Sequence, residues 1–299
     1  MDLLLSDLHP DQHIMKKWIM RIFSFLVITL LLGYIGASIW FYNHQESFIF
    51  MNPVKLDADY TYDFATDYQE INLKVAEDVT LSSLLFKSSI QPSSGVVFTF
   101  KGAGGNIANQ NEAAAVYDSL GFDYFVMDIR GYGKSEGAYA NDEEMYLDAM
   151  AGYQQLLELG YEEKDIVLIG VSLGSGLASY VAANKDPRQL LLISPYYNIK
   201  DLAKNLTFSQ QVRLLKYLPT DLLLKYNLDN ASHIQNTSVP VTIFHGTADR
   251  LIYYGSSLKL QKHFKAEDRL ITIEGGIHNG FGNRPDVIEG IKQTILDLN

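Results

Sequence analysis

The sequence contains no cysteine. Disulfide bonds, cysteine-ligated zinc and a thiol nucleophile are therefore excluded. Basic residues are also scarce, since 24 Lys and Arg stand against 35 Asp and Glu and the formal net charge is −11. An acidic chain without a basic stripe repels a phosphate backbone, so we expect no nucleic-acid partner.

Charged residues are missing altogether from one long stretch near the N-terminus. Residues 22–42 read IFSFLVITLLLGYIGASIWFY, an apolar run long enough to cross roughly 30 Å of hydrocarbon as a helix. Trp18 precedes it and residues 40–42, Trp-Phe-Tyr, close it, as suits the two membrane interfaces. A buried core helix is the alternative, but such helices rarely lack a polar face. We expect a transmembrane anchor at 22–42, after an N-terminal tail at 1–21.

A cleaved signal peptide is a second alternative for this stretch. The apolar run exceeds the roughly 7 to 15 residues of a signal-peptide core, and Gly-Ala-Ser at 36–38 is a poor cleavage site, so we expect the anchor to be retained. Lys16, Lys17 and Arg21 lie just before the run and keep the N-terminus in the cytoplasm by the positive-inside rule. Translation from a later methionine would leave fewer of these basic residues. The remaining chain is predicted to face the periplasm, a lumen or the exterior.

The rest of the chain alternates between short apolar runs and helical patterns. Buried strands are predicted at 96–100, 124–129, 166–171, 190–194, 241–245 and 270–273. Two earlier segments, 70–75 and 80–87, alternate polar with apolar residues as antiparallel edge strands do. Helices are predicted at 108–120, 142–159, 173–184, 256–264 and 286–298. This order predicts an α/β domain over 48–299, with a mostly parallel eight-stranded sheet, helices on both faces, and ligands at the carboxyl ends of the strands.

The alternation stops over residues 197–238, where a Leu- and Tyr-rich helical stretch lies. We expect a small helical lid inserted here, and a plain crossover helix with irregular ends is the alternative. Six apolar residues could meet an acyl substrate or belong to the core: Leu202, Leu206, Phe208, Leu214, Leu222 and Leu223.

One buried strand leads into the strongest chemical signal in the sequence. The strand at 166–171 runs into Gly-Val-Ser-Leu-Gly at 170–174, and a helical pattern follows. This is the context of a nucleophile elbow, where glycines two positions either side of the serine leave room for a strained turn. We therefore predict Ser172 as a nucleophile. A structural turn without chemistry is the alternative, because such a pentapeptide also arises by chance.

A serine hydroxyl needs a base, and histidine is the usual one because its ordinary pKa lies near 6.5. Of the seven histidines, three flank the anchor, one lies in the predicted lid and one in a helix. His278 lies in the loop after the last strand, from which a side chain can reach the sheet edge, and we expect it to be the base. His245 ends a strand, where we expect it to pack or hydrogen-bond beneath the site, and it is the second candidate.

The base needs an acid to orient it, and Asp249 lies in a loop after the strand at 241–245. Its carboxylate would hold the tautomer of His278 and stabilise the histidine cation. The alternative roles for this carboxylate are an Asx turn or an ion pair with Arg250. The sequence thus predicts a triad of Ser172, Asp249 and His278.

The tetrahedral intermediate of acyl transfer needs N–H donors for its oxyanion. We expect one from the backbone of Leu173, at the start of a helix where N–H groups are free. The second should come from the loop 101–106, Lys-Gly-Ala-Gly-Gly-Asn, with Ala103 as first choice and Gly102 as the alternative. A phosphate-binding role for this loop fails, because neither G-x-G-x-x-G nor Gly-Lys-Ser/Thr is present.

Together these motifs resemble the serine-hydrolase branch of the α/β-hydrolase superfamily over residues 48–299. The blocks that carry the resemblance are 98–106, 127–135, 170–174 and the loops of Asp249 and His278. The chain order Ser, Asp, His is also the order of that superfamily. Single-pass, membrane-anchored members with a short lid are the most similar. The resemblance implies hydrolysis of an ester, thioester or amide without a cofactor, and we predict no metal site.

One position departs from the pattern of these relatives. Their loop opens with His-Gly-Asn, whereas Lys101, Gly102 and Ala103 stand here. The backbone donors survive this change. The Lys101 side chain could favour anionic substrates or point to solvent, and we expect the latter. We expect the block 128–135 to be a structural loop without a catalytic role.

The leading hypothesis is hydrolysis of a small acyl ester or thioester through an acyl-enzyme, on apolar and membrane-derived substrates. A peptidase of the prolyl-oligopeptidase type is an alternative, and an acid pair that binds a substrate amine would favour it, but none is evident. A non-catalytic, membrane-tethered module with a hydrolase fold is another alternative. The presence of Ser172, Asp249 and His278 argues against that module.

Overall fold

An eight-stranded sheet runs through the protein, whose computed structural model describes residues 10–51, 53–205, 217–279 and 284–297. The strands are β1 Tyr68–Ala76, β2 Val79–Phe86, β3 Val96–Phe100, β4 Asp123–Met127, β5 Ile166–Val171, β6 Gln189–Ile193, β7 Val241–Gly246 and β8 Arg269–Ile273. Their order across the sheet is β1-β2-β4-β3-β5-β6-β7-β8. The β1–β2 and β2–β4 pairs are antiparallel, and all later pairs are parallel. The predicted mostly parallel α/β sheet is confirmed.

Helices cover both faces of this sheet. The helices are α1 Pro10–His44, α2 Glu46–Ile49, α3 Asn111–Ser119, α4 Asp142–Glu158, α5 Gly174–Asn184, α6 Ile199–Asn205, α7 Thr220–Leu223, α8 Asn230–Asn236, α9 Gly255–Leu260 and α10 Pro285–Leu296. One apolar core lies between the sheet and α4 and α5, and a second lies between the sheet and α3 and α10. Each core buries the apolar side chains that alternate along the strands.

Two predicted helices differ from the observed ones. The helix predicted from residue 108 begins at Asn111, because Asn106 accepts a hydrogen bond from the Ala108 N–H (2.9 Å) and holds the preceding residues in a turn. The helix predicted at 256–264 ends at Leu260 and continues as one 3₁₀ turn, Gln261–His263. Residue 298, the end of the last predicted helix, lies outside the described residues.

The segment predicted as a lid contains α6, α7 and α8. Its residues 206–216, which include Leu206, Phe208 and Leu214, lie outside the described part of the chain. Leu202 is half-buried against the core and Leu223 packs against the end of α1. Leu222 is 84% exposed, so its predicted contact with an acyl substrate or the core is wrong.

Helix α1 is the one described helix that is long and apolar enough to cross a membrane, with a mean hydropathy of 2.2 over its most apolar window. It is longer than the predicted anchor, since it begins at Pro10; residues 1–9 lie outside the described residues. At its end, the Phe41 side chain faces the protein, since it is only 2% exposed and packs against Phe48, Leu218, Leu223 and Leu224. The level of this turn relative to a membrane interface stays a prediction.

Candidate active site

The turn between β5 and α5 has the geometry of a nucleophile elbow. Ser172 lies at φ +51°, in the left-handed region that side chains other than glycine rarely adopt. A Cβ atom at Gly170 would lie 2.7 Å from the Ser175 Cα, and one at Gly174 would overlap the carbonyl oxygen of Phe100. The close approach of neighbouring backbone therefore requires both glycines, and the tight turn places the Ser172 hydroxyl at the carboxyl end of the sheet.

The loops after β7 and β8 bring an acid and a histidine to this hydroxyl. His278 Nε2 lies 3.0 Å from Ser172 Oγ, and His278 Nδ1 lies 2.7 Å from Asp249 Oδ2. The Asp249 carboxylate is fully buried, while the His278 ring is partly open to solvent. Ser172, Asp249 and His278 are far apart along the chain, yet their side chains form one hydrogen-bonded line.

The two oxygens of the Asp249 carboxylate have separate partners. Oδ1 accepts from the backbone N–H groups of Leu251 and Ile252, each at 2.9 Å, while Oδ2 faces His278. The Asx turn considered as an alternative role is therefore present together with the histidine contact. Burial by itself would raise the pKa of Asp249, but hydrogen bonds from His245 and His278 outweigh it and hold the pKa below its ordinary value. The carboxylate is therefore ionised at neutral pH.

His245 lies beneath the site and is completely buried. Its Nε2–H donates to the carbonyl oxygen of Ile252 (2.9 Å), and its Nδ1 accepts from the Ser257 hydroxyl (2.6 Å). Nε2 also lies 3.3 Å from Asp249 Oδ2. Both ring nitrogens are thus engaged away from Ser172, as expected for a packing role.

The two residues predicted to supply oxyanion donors line one cavity together with Ser172. Leu173 follows Ser172 directly at the N-cap of α5, and Ala103 lines the same cavity as Ser172. Neither backbone N–H donates to an acceptor within the described ranges of the chain. The loop 101–106 passes close to Ser172 at Gly102, where a Cβ atom would lie 3.4 Å from the Ser172 Cβ.

Lys101 does not point to solvent, so that expectation is wrong. Its side chain is mostly buried, and its ammonium group lies 3.2 Å from Oδ1 of the fully buried Asp128. Burial raises the pKa of Asp128, and the Lys101 charge together with the N–H of Ile107 offsets part of this rise. Because a buried carboxylate needs a partner, the Lys101 side chain is held inside the protein rather than in solvent.

Replacing Lys101 with Met is expected to lower the free energy of unfolding by about 3 kcal/mol, because it leaves the Asp128 charge buried without its partner. Lys204→Met is the matched control, since the Lys204–Asp221 pair (3.0 Å) is more than half exposed and its loss should cost less than about 1 kcal/mol. Chemical denaturation of the three proteins measures both effects. Protonation of Asp128 removes its unpaired buried charge. The loss in free energy of unfolding caused by Lys101→Met should therefore become smaller as the pH falls. Equal deficits for the two variants would contradict this role.

A partly open cavity of about 90 Å³ extends from Ser172. Apart from Ser172 and Gln45, all of the described residues that line it are apolar or aromatic. The sequence patterns did not reveal this cavity, because its wall comes from six separate parts of the chain. Among the described residues there is no cluster of three or more histidine or acidic side chains that could hold a metal.

Comparison with known proteins finds similar hydrolases. A family model described as serine aminopeptidase S33 matches residues 91–233, a range that includes Ser172 but ends before Asp249. Protein bem46 of Schizosaccharomyces pombe is 30% identical over 145 residues, which cover 47% of this chain and 48% of that protein. The lysophosphatidylserine lipase ABHD12 of Danio rerio is 29% identical over 191 residues, 58% of this chain and 48% of that protein. The chain spans about half the length of these two relatives.

A solved structure shares the fold over most of the chain. An esterase of Pyrococcus furiosus superposes with a TM-score of 0.64 and 17% sequence identity, covering 83% of this chain and 95% of the esterase. The fold common to both is the mostly parallel sheet with helices on each face. The sheet topology, the family model and these relatives together show that the chain belongs to the α/β-hydrolase superfamily.

Proposed function

We propose that this protein is a serine hydrolase that cleaves a carboxylic ester or thioester through an acyl-enzyme intermediate. One observation carries the proposal, namely the line of hydrogen-bond distances from Asp249 through His278 to Ser172, 2.7 and 3.0 Å. A hydroxyl, an imidazole and a buried carboxylate in this arrangement have the geometry of an activated nucleophile. The strained φ angle of Ser172 supports the same role.

The proposed reaction begins with the tautomer that Asp249 selects. With Nδ1–H donating to Asp249, His278 Nε2 is free to accept the Ser172 proton as Oγ attacks the acyl carbonyl carbon. The backbone N–H groups of Leu173 and Ala103, with Gly102 as the alternative to Ala103, donate to the oxyanion. The tetrahedral intermediate expels the alcohol or thiol, which takes the proton from His278. A water molecule, which gives a proton to His278, then attacks the acyl-enzyme in the same way. This step releases the carboxylic acid and returns the proton to Ser172.

The cavity supports an acyl or lipid-like small molecule as the substrate. Its walls offer apolar surface and no ionised side chain among the described residues, so burial of an alkyl chain is the main source of binding energy there. One relative is named a lipase, and one structural neighbour an esterase.

A peptidase is the second candidate, because the matched family model is described as a serine aminopeptidase. The prolyl-oligopeptidase type shares the same triad chemistry. Recognition of a substrate amine needs a carboxylate near the nucleophile, and none of the described residues that line the cavity is acidic. The ester reading is therefore the stronger of the two.

Labelling with a fluorophosphonate tests the proposal. The native full-length chain is expected to label and Ser172→Ala is expected not to label, because the reagent reacts only with an activated serine. A panel of esters, thioesters and aminoacyl amides then separates the two enzymatic candidates, with higher kcat/KM expected for the esters and thioesters. Labelling of neither protein would favour a non-catalytic binding module, and equal labelling of both would place the reactive group at another residue. Either result would contradict the proposed role of Ser172.

We further propose that α1 anchors the protein in a membrane, with the N-terminus in the cytoplasm and the catalytic domain outside it. Lys16, Lys17 and Arg21 support this orientation. The chain has no cysteine, so a single introduced one reports its own location. Glu267→Cys, at an exposed position, should react with a membrane-impermeant maleimide on intact cells, whereas Ser6→Cys should not. The opposite pattern would reverse the orientation.

A further inference from the structure

The cavity that starts at Ser172 reaches the end of helix α1. One part of its wall consists of Phe41, Gln45, Phe48, Ile49 and Met51, which belong to the last turn of α1 and the segment that follows. Phe41 is turned into the protein, at 2% exposed, while its neighbours Trp40 and Tyr42 are 51% and 45% exposed. In this turn of the helix, Trp40 and Tyr42 therefore face outward, while Phe41 faces inward and lines the cavity.

A polar clamp holds this wall in place. The buried Gln45 side chain donates from Nε2 to the carbonyl oxygen of Leu223 (3.0 Å) and accepts at Oε1 from the N–H of Lys225 (2.8 Å). Glu46 pairs with the Lys225 ammonium group at 2.8 Å. Because both hydrogen-bonding ends of the Gln45 amide are satisfied by the domain, the end of α1 is a fixed part of the cavity rather than a loose tether.

The position of the wall relates the cavity to the membrane. Exposed tryptophan and tyrosine side chains favour the level of the lipid headgroups, so Trp40 and Tyr42 place Phe41 at that level. The outer end of the cavity then lies beside the bilayer surface, while Ser172 lies at the inner end. An acyl chain could pass from lipid into apolar walls without crossing water, which avoids the cost of hydrating it.

We propose that residues 41–51 form the outer wall of an acyl-chain pocket, and that the substrate is a long-chain acyl ester or thioester drawn from the membrane that holds α1. This inference rests on the proposed serine hydrolase function. The acyl chain lies along the wall with its carbonyl at Ser172, and the leaving alcohol or thiol faces solvent. The anchor thus determines specificity for chain length in addition to location.

The test uses the full chain in phosphatidylcholine vesicles and a series of esters with acyl groups from two to sixteen carbons. In Phe41→Ala the ratio of kcat/KM for the sixteen-carbon ester to that for the two-carbon ester should fall about tenfold, since the loss of the wall exposes one or two methylene groups. Phe25→Ala is the matched control, because Phe25 is an exposed phenylalanine of the same helix that does not line the cavity. Its ratio should equal that of the native chain.

A second variant guards against a folding defect in Phe41→Ala. Met51 lines the cavity but is more than one third exposed, so Met51→Trp narrows the outer end without disturbing a packed core. It should also lower the ratio. The proposed acyl-chain wall would be wrong if the ratio were unchanged in both variants, or if kcat/KM fell equally for short and long esters. Fluorophosphonate labelling of the same samples separates this result from failure of the proposed function, in which no sample labels.

Discussion

Replacing Ser172 with Ala is expected to lower kcat for ester hydrolysis by about 10⁶-fold, the order of loss seen when a serine protease loses its nucleophile. The substitution removes only the hydroxyl that lies 3.0 Å from His278 Nε2. Alanine keeps the Cβ atom at the same φ angle, so the elbow and the melting temperature should change little. Initial rates with a short-chain ester, read together with thermal unfolding, measure both effects.

Ser194 provides a matched control for that variant. It lies just after β6, is buried, and shares the left-handed backbone with φ +48°. Its hydroxyl has no hydrogen-bond partner among the residues that the structure describes. Ser194→Ala should therefore retain native kcat. If kcat fell comparably in both variants, Ser172 would affect activity by stabilising the fold and not through its hydroxyl oxygen.

Asp249→Asn is expected to lower kcat by about 10⁴-fold while leaving the fold intact. The amide keeps an oxygen for the N–H groups of Leu251 and Ile252, which now bond to Oδ1. Its NH₂ group would face His278 and favour the tautomer with the proton on Nε2. That tautomer cannot accept the Ser172 proton, so the chemical step fails although all three side chains remain in place.

The same variant has an expected signature in stability against pH. Because hydrogen bonds hold the pKa of Asp249 below its ordinary value, the ionised group stabilises the folded state above about pH 4 and loses this effect as the pH falls through its folded pKa. The difference in melting temperature between native and Asp249→Asn should therefore be largest at neutral pH and shrink in acid. A constant difference would contradict the ionised, hydrogen-bonded state of Asp249.

Local sequence patterns predicted the sheet closely. The predicted limits of β3 and β5 coincide with the observed ones, because each strand is a buried apolar run bounded by polar or glycine residues. The sharp turn at Ser172 could also be predicted from the sequence, since only glycine fits at positions 170 and 174, where the neighbouring backbone comes close. Helix α3 begins three residues later than predicted, because the Asn106 side chain accepts a hydrogen bond from the Ala108 N–H. This bond competes with the helix and leaves the hydrophobic periodicity of the sequence unchanged.

Features that depend on distant contacts could not be predicted from such patterns. Lys101 looked like a surface lysine until the fold placed it against the buried Asp128. Phe41 looked like an interfacial aromatic residue, and only its packing against Leu223 and Leu224 shows that it faces inward. Gln45 carries no motif at all, yet both ends of its amide are used by the segment around Lys225. Each of these residues has a role set by tertiary structure alone.

The central claim is that Ser172 becomes acylated during turnover, and mass spectrometry of the trapped enzyme tests it most directly. The full chain is mixed with an excess of a slowly deacylating ester, quenched in acid and digested. We expect the peptide that contains Ser172 to gain the mass of one acyl group, and we expect no such adduct in Ser172→Ala. An acyl group on another residue, or hydrolysis of the ester with no acylated peptide, would contradict it.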